Sequence, residues 1–332
     1  MYKKSKLFFI IAETPLHPGS GGDSTGIVDL PIQRERYTNF PKIEASGLKG
    51  CIKEAFYETN KEILIDTKRL NPNDKISYNI DGHKKETDYI SLVFGPENGD
   101  EHASAIAFTD AKILLFPVKS LKGVFAWITC PMVLERFKDA LRLTGAVDKE
   151  IDYNFSNLVN TVPQHTNISF DSKIVLEEYT FEVKENEATS NIAKFLASKI
   201  FPLQNSDDIY KFWRKKLERD LVILSDDDFE QFVATSTEVI TRTKIDDITG
   251  TVQSGALWTE EYLPQDTILY SLMLASQLRV ESPEAKGIFK SASTDEEIVK
   301  IVQFFESGIP EIVQIGGNQT IGKGIVRIQI LK

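Results

Sequence analysis

The chain has 332 residues, 39 Lys and Arg against 49 Asp and Glu, a net charge of −10, 41% apolar residues and two cysteines. That length predicts two domains or one large domain with insertions, and the apolar fraction, with near-average glycine and proline, excludes a disordered or collagen-like chain. Cys51 and Cys130 cannot build a disulfide framework, the histidines are too scattered for a zinc site, and no apolar run reaches the roughly 18 to 20 residues of a membrane span, so a soluble cytoplasmic protein with no membrane partner is expected.

The acidic total argues against nucleic-acid binding, but the charge is uneven. Residues 1–55 and 311–332 each sum to +2, which leaves −14 on the 255 residues between them.

Residues 6–13 read as a buried strand: the apolar run from Leu7 to Ala12 is short for a signal peptide, and Glu13 stands where a small-residue cleavage site would be. A turn-rich loop over 16–26 leads to the extended IVDLPIQRER, where Pro31 forbids helix. ASGLKGCIKEAFYE predicts a helix with Ser46 as N-cap, Lys49 at its third position and Leu48, Ile52, Ala55 and Phe56 as its apolar stripe. Residues 59–104 are polar and turn-rich, an irregular insertion with local helix. Strands at 105–109, 113–118 and 123–129 precede a helix over 131–144 that Pro131 opens and Gly145 terminates.

Residues 146–236 read as a second, smaller lobe with a strand at 173–183 and helices at 191–201, 209–219 and 226–234. Strands at 238–244 and 267–274 flank a long extended hairpin. Thr294 and Glu297 form a capping box on the last helix, which Gly308 ends. Two strands then surround a glycine-rich tip; in the second, Val326, Ile328 and Ile330 alternate with Arg327 and Gln329, the pattern of a half-buried strand. The order predicts an α+β, ferredoxin-like β-α-β-β-α-β core with large insertions.

Four constellations could carry chemistry. Gly317 to Lys323 fits the phosphate-loop spacing G-x-x-x-x-G-K, but Gly324 stands where Ser or Thr must ligate magnesium and too little chain follows for the helix, so nucleotide hydrolysis fails. What survives is a glycine loop, with Gly316, Gly317, Gly322 and Lys323, that either lies against a phosphate backbone or is a tight hairpin turn. At the Ser46 helix, Lys49 would be repelled by the positive end of the helix dipole unless an anion sits there; the alternative is a solvated surface lysine. Asp29 beside the first glycine loop is a base, a metal ligand or a turn former, and His17 a catalyst or a loop hydrogen-bonder; Arg34 and Arg36 share the other parity of that segment. In Trp258-Thr259-Glu260-Glu261-Tyr262, paired acids beside aromatics either position a base and a water or mark a solvated hairpin with its aromatics tucked inward. Lys122-Gly123-Val124-Phe125 opens like an RNA-recognition motif and then departs from it.

The runs HPGSGG, IVDLPIQRER, FPKIEASGLKG, FTDAKILLFPVKSLKGVFAWITCPMVLERF, GALWTEEYLP and IGGNQTIGKG resemble the backbone subunits of type III-B CRISPR (Cmr) effector complexes, the fourth-subunit family within the RAMP superfamily. VDLPIQRE together with LWTEEY is the specific part of the match. The resemblance implies a ferredoxin-like palm (1–58, 105–145 and 237–332) with a thumb hairpin at 245–266, an insertion at 59–104 and a helical finger lobe at 146–236. It implies copies stacked head to tail on CRISPR guide RNA beside other Cmr subunits, cutting target RNA at regular intervals with a divalent metal, Mg or Mn. Asp29 then takes the place of the cleavage aspartate and possible metal ligand, with His17, Glu260 and Tyr262 supporting it. Lys49, Ser46, Arg34, Arg36 and the glycine loop from Gly316 to Lys323 take the place of RNA contacts. Thr259, where a bulkier aromatic is expected, should change hairpin packing more than chemistry. The rivals are a non-catalytic RNA-binding scaffold of the same complex and a metabolic enzyme holding a nucleotide on its glycine loop.

Overall fold

A computed structural model of the chain describes residues 2–21, 28–59, 61–80, 82–97, 102–145, 151–203, 208–280 and 282–332; residues 22–27 of the first glycine loop lie outside them. The N-terminal apolar run is β1 (Lys4–Ala12), and residues 7–12 are at most 3% exposed. Both of its faces are covered, which is why the run is continuous rather than alternating. After it come β2 (Lys42–Ile43), α1 (Ala45–Glu58), the hairpins β3 (Ile63–Ile65) with β4 (Lys68–Leu70) and β5 (Lys75–Ile80) with β6 (His83–Asp88), and α2 (Tyr89–Phe94). β7 (Ile106–Phe108), β8 (Ala111–Lys119), β9 (Phe125–Thr129) and α3 (Pro131–Leu143) follow. The next segment holds β10 (Thr161–Pro163), β11 (Lys173–Leu176), β12 (Tyr179–Glu182), β13 (Lys184–Asn186), α4 (Glu187–Ile200), α5 (Lys211–Arg219), β14 (Leu221–Ile223) and α6 (Asp226–Thr235). The chain closes with β15 (Glu238–Ile245), β16 (Val252–Tyr262), β17 (Ile268–Ala275), α7 (Thr294–Gly308), β18 (Ile312–Gln314) and β19 (Ile325–Ile330).

β1 lies antiparallel between β17, with Phe8 opposite Ser271, and β19, with Ile10 opposite Ile328; β8 and β7 pair the far edge of β17. The order β19-β1-β17-β8 with α1 and α7 as crossovers is the expected ferredoxin-like arrangement. Phe8 meets Phe305 of α7 at 5.8 Å on one face, and Phe9 meets Phe137 of α3 at 6.0 Å on the other. Beyond β8 the sheet continues through β9, β14, β10 and β13, so the segment read as a separate lobe adds three strands to the same sheet.

Several local expectations are corrected. Ser46 is not the N-cap: Glu44 holds that position without a side-chain bond, and the Ala45 N–H donates to Asp110 Oδ1 at 2.9 Å, so a carboxylate from the β7–β8 turn starts the helix two residues early. Lys49 accordingly sits at the fifth helical position instead of the third. Ser293, not Thr294, caps α7, and Glu297 is buried, accepting from the Leu278 N–H and pairing with Lys286 at 2.7 Å. Gly308 is the last residue of α7, placed where a Cβ would come 2.5 Å from Phe56 and 2.6 Å from Ile63. The strand expected over 173–183 breaks at Glu177, φ 50°, into the β11–β12 hairpin. Arg327 is buried, paired with Glu13 at 2.7 Å and stacked over Tyr210 at 4.3 Å, so β19 does not keep one wet face. Residues 238–245 pair with β16 instead of the main sheet, and the hairpin runs from Glu238 to Tyr262, register Glu238↔Tyr262.

Candidate functional site

The end of β16 is the floor of the site, and strand alternation divides its side chains between two sets of partners. Thr259 and Glu261 serve the N-terminal segment, whereas Trp258, Glu260 and Tyr262 serve the C-terminal glycine loop.

On the first side, Leu30 bridges Glu260, with its N–H donating to the Thr259 carbonyl and its carbonyl accepting from the Glu261 N–H, each at 3.0 Å. Pro31 has no N–H to lose on this outer position. Asp29 is thereby laid over Thr259. Its Oδ2 accepts from the Thr259 N–H at 2.7 Å and the Thr259 hydroxyl at 2.8 Å, while its own N–H donates to Thr259 Oγ1 at 2.9 Å. These two donors hold the Asp29 carboxyl below the usual carboxylate range. Oδ1 has no protein donor among the described residues and faces solvent. Thr259 therefore clasps the Asp29 carboxylate directly, so its identity bears on that carboxylate as well as on hairpin packing.

Glu261 is buried, and its carboxylate gathers the Ile32 N–H at 3.0 Å, Arg34 Nη2 at 2.6 Å and the Thr237 hydroxyl at 2.8 Å. Arg34 also donates through Nη1 to the Asn39 and Val233 carbonyls, so its guanidinium is held largely inside the protein. Arg36 is exposed in the following turn and makes no ion pair among the described residues.

His17 is 8% exposed. Its Nδ1 lies 2.6 Å from the Glu261 carbonyl. A carbonyl can only accept, so Nδ1 carries the proton and neutral His17 keeps a lone pair on Nε2. Gly19 leaves room for that atom: a Cβ there would come within 2.9 Å of Nε2. The contacts of Asp29 and His17 on β16 are two residues apart, about 7 Å along a strand.

On the second side, Glu260 Oε1 accepts from Trp258 Nε1 at 2.8 Å. Its Oε2 accepts from Arg242 Nε at 3.2 Å, Asn318 Nδ2 at 3.0 Å and the Tyr262 hydroxyl. Burial alone would raise the Glu260 pKa, but these donors outweigh it and the carboxyl is lowered. Tyr262 is fully buried; burial and the neighbouring Glu260 raise its hydroxyl, which stays protonated as the donor. His17 and Tyr262 rings lie 5.4 Å apart, and Lys323 Nζ stands 5.1 Å over the Tyr262 ring.

The glycine loop is locked to this cluster. Gly316, φ 80°, packs so closely on the His17 carbonyl that a Cβ would come within 2.3 Å of its oxygen, and the Gly317 N–H donates to the same oxygen at 3.0 Å. Gly322, φ 74°, turns the chain back with open space around it. Lys49 lies elsewhere, on α1: half-buried, with burial and nearby Lys53 lowering its pKa and no counter-ion among the described residues. Ser46 is exposed beside it and makes no capping bond.

Asp29, His17, Glu260 and Tyr262 thus converge on one strand end with Lys323 above them. Thr259, Glu261, Arg242 and Asn318 complete the cluster; Glu261 is one of the paired acids of the sequence, Thr259 was expected to matter for packing, and Arg242 and Asn318 were not singled out. Asn318 next to Gly316-Gly317 was the one available signal, since asparagine tolerates its φ of 67°. Among the described residues no group of three His, Cys, Asp or Glu could hold a metal alone. The open Asp29 Oδ1 does suit a hard cation that also takes oxygens from a bound phosphate.

The RAMP superfamily model matches residues 9–327. The Cmr endoribonuclease Cmr4 of Pyrococcus furiosus is 35% identical over 329 residues, 98% of this chain and 96% of its own length, and the Cmr4 subunit of Saccharolobus solfataricus is 25% identical over 99% and 97%. Oligomeric Cmr4 from Pyrococcus furiosus matches with a TM-score of 0.66 at 28% identity, covering 99% of this chain and 98% of that one. A chain of the Type III-B Cmr-beta complex bound to cognate target RNA matches with a TM-score of 0.63 at 25% identity, covering 99% and 98%. The chain belongs to the RAMP superfamily and, within it, to the Cmr4 family.

Proposed function

We propose that the chain is an endoribonuclease subunit of a type III-B CRISPR effector, binding guide RNA, stacking head to tail with its own copies beside other Cmr subunits, and cutting complementary target RNA at regular intervals. The names of its relatives support the setting, and the observation that carries the chemistry is that Asp29, clasped through one oxygen, and His17 are anchored two residues apart on the end of β16.

RNA brings its own nucleophile, the 2′-OH. The protein must align 2′-O, phosphorus and the leaving 5′-O, accept a proton, and meet the charge of the phosphorane. A carboxylate with a lowered pKa is a poor base, so Asp29 Oδ1 accepts the hydrogen bond of the 2′-OH and fixes its direction. His17 Nε2 takes the proton as the 2′-O–P bond forms, and returns one to the 5′-oxygen as the P–O5′ bond breaks, leaving a 2′,3′-cyclic phosphate. Glu260 is buried and already accepts four hydrogen bonds; it holds Tyr262, Arg242 and Asn318 in the wall beside the displaced nucleotide. A divalent cation, Mg or Mn, held by Asp29 and the RNA phosphate, would supply charge neutralisation there. Lys49, Lys323 and the glycine loop hold the guide backbone.

Cleavage mapping on the reconstituted complex tests this. Asp29→Ala and EDTA should each abolish evenly spaced cuts in guide-complementary RNA, with assembly and target binding unchanged. Cutting at the normal rate by the Asp29→Ala complex would make the chain a scaffold.

A further inference from the structure

The hairpin face that carries Glu260 and Tyr262 holds a second carboxylate. Glu238 opens β15 directly opposite Tyr262, and cross-strand partners share a face, so its side chain stands on the side of the glycine loop. Asp29, Glu260 and Glu261 are each clasped by donors. Glu238 is half-buried, yet among the described residues it accepts no hydrogen bond and forms no ion pair. Neither of its oxygens is among the sealed, unpartnered atoms of those residues, so both reach solvent.

Burial raises the Glu238 carboxyl, and the charge of Lys323 only partly offsets that, so the ammonium is near enough to be felt and too far to pair. Lys323 Nζ itself stands over the Tyr262 ring, which Glu238 and Lys323 therefore both border. The neighbouring side-chain donors are taken: Arg242, Asn318 and Tyr262 all donate to Glu260. Glu238 is thus an open acceptor beside a cation, and the donor that completes it comes from outside the chain.

We infer that Glu238 accepts a hydrogen bond from a ribose 2′-OH of the guide strand and so selects RNA over DNA as the guide. This rests on the reading that Lys323 and the glycine loop hold the guide backbone. Ribose carries its 2′-OH on the carbon next to the one that bears the 3′-phosphate, so a phosphate on Lys323 brings that hydroxyl towards the adjacent carboxylate. The other donors of a guide, the N–H groups of its base edges, are committed to pairing with the target. A carboxylate beside a phosphate site repels a backbone that brings no donor, and deoxyribose brings none; the 2′-OH is what separates RNA from DNA at such a point. Glu238 therefore favours one strand and disfavours the other through the same oxygen.

The test uses the full chain and two fluorescein-labelled strands of one sequence, RNA and its 2′-fluoro counterpart, followed by anisotropy. Fluorine keeps the sugar pucker of RNA but cannot donate. The parent should prefer RNA, and Glu238→Leu should reduce that preference about tenfold, the worth of one hydrogen bond to a charged group. Glu238→Gln keeps an acceptor and should hold the preference within about threefold of the parent. Equal affinity of the parent for both strands overturns the inference without any variant. An unchanged preference in Glu238→Leu with an unaltered melting curve overturns it too, as does a rise in affinity by the same factor for both strands, which marks plain repulsion. Lys323→Ala should weaken both strands alike; if it leaves both affinities unchanged, the guide-contact reading fails and takes this inference with it. A lost Glu238 effect beside an intact Lys323 effect removes the inference alone.

Discussion

At Thr259 a single residue offers two donors to one oxygen of Asp29, and both favour the charged carboxylate. Thr259→Val keeps the backbone N–H and the side-chain shape but removes the hydroxyl. Losing the hydroxyl removes half of the clasp that orients the carboxylate, so single-turnover cleavage should fall by up to about 100-fold. The sign of the pH effect follows from the same bonds: they hold Asp29 below the ordinary carboxylate range, so weakening them moves the acid limb of the rate profile upward. A profile with an unmoved acid limb would remove Thr259 from this role. Sequence spacing alone left Asp29 open between turn former and functional group, and the resemblance supplied its assignment. The partners of Thr259 and Glu261 were invisible for a physical reason: their bonds to Asp29 and Ile32 span more than two hundred residues and leave no local pattern.

Among the elements, helices with a strong 3.6-residue stripe were placed within a few residues, because burial of one face fixes them. Their caps were not, because α1 is started by Asp110 from another turn and Glu297 of α7 is used by Leu278 and Lys286. Strand alternation failed for β19, where the side facing α5 is also covered and Arg327 is buried with Glu13. Gly308 illustrates the same limit: its position reads as a helix stop, but its reason is the approach of Phe56 and Ile63. Gly308→Ala relieves the entropy cost of a helical glycine, up to about 1 kcal/mol, but must displace a ring and an isoleucine, so a net loss of about 1–2 kcal/mol is expected in urea unfolding. A variant as stable as the parent would show that α7 can shift away from α1 without cost.

For the molecule as a whole, stability should depend on pH through the turn that follows β16. Burial and the nearby Glu13 push the Asp266 carboxyl up to about 6 from an unfolded value of 3.8. Between those values the folded chain binds a proton that the unfolded chain lacks, so the fold gains stability as pH falls from 7 towards 4 and loses it as pH rises through 6. Asp266→Asn should flatten that part of the melting profile and stabilise the protein at pH 7 by about 1–2 kcal/mol, allowing for solvent screening of a partly exposed group. Asparagine also accepts the φ of 67° found there. A profile unchanged by the substitution would place the pH dependence elsewhere. Net charge was a poor guide at this scale, because the acidic middle of the chain contains the basic α5.

The central place of β1 has a consequence in time. Its two partners, β17 and β19, come from the last quarter of the chain, with Leu7 opposite Leu272 and Ile10 opposite Ile328. At a synthesis rate of about 5–20 residues per second, β1 leaves the ribosome roughly 15 to 60 s before either neighbour exists. During that interval the most apolar strand of the protein has two open edges and nothing of its own to pair with. Closure of the core therefore waits for the last strands, is slow for its size, and depends on whatever shields residues 7–12 until they arrive.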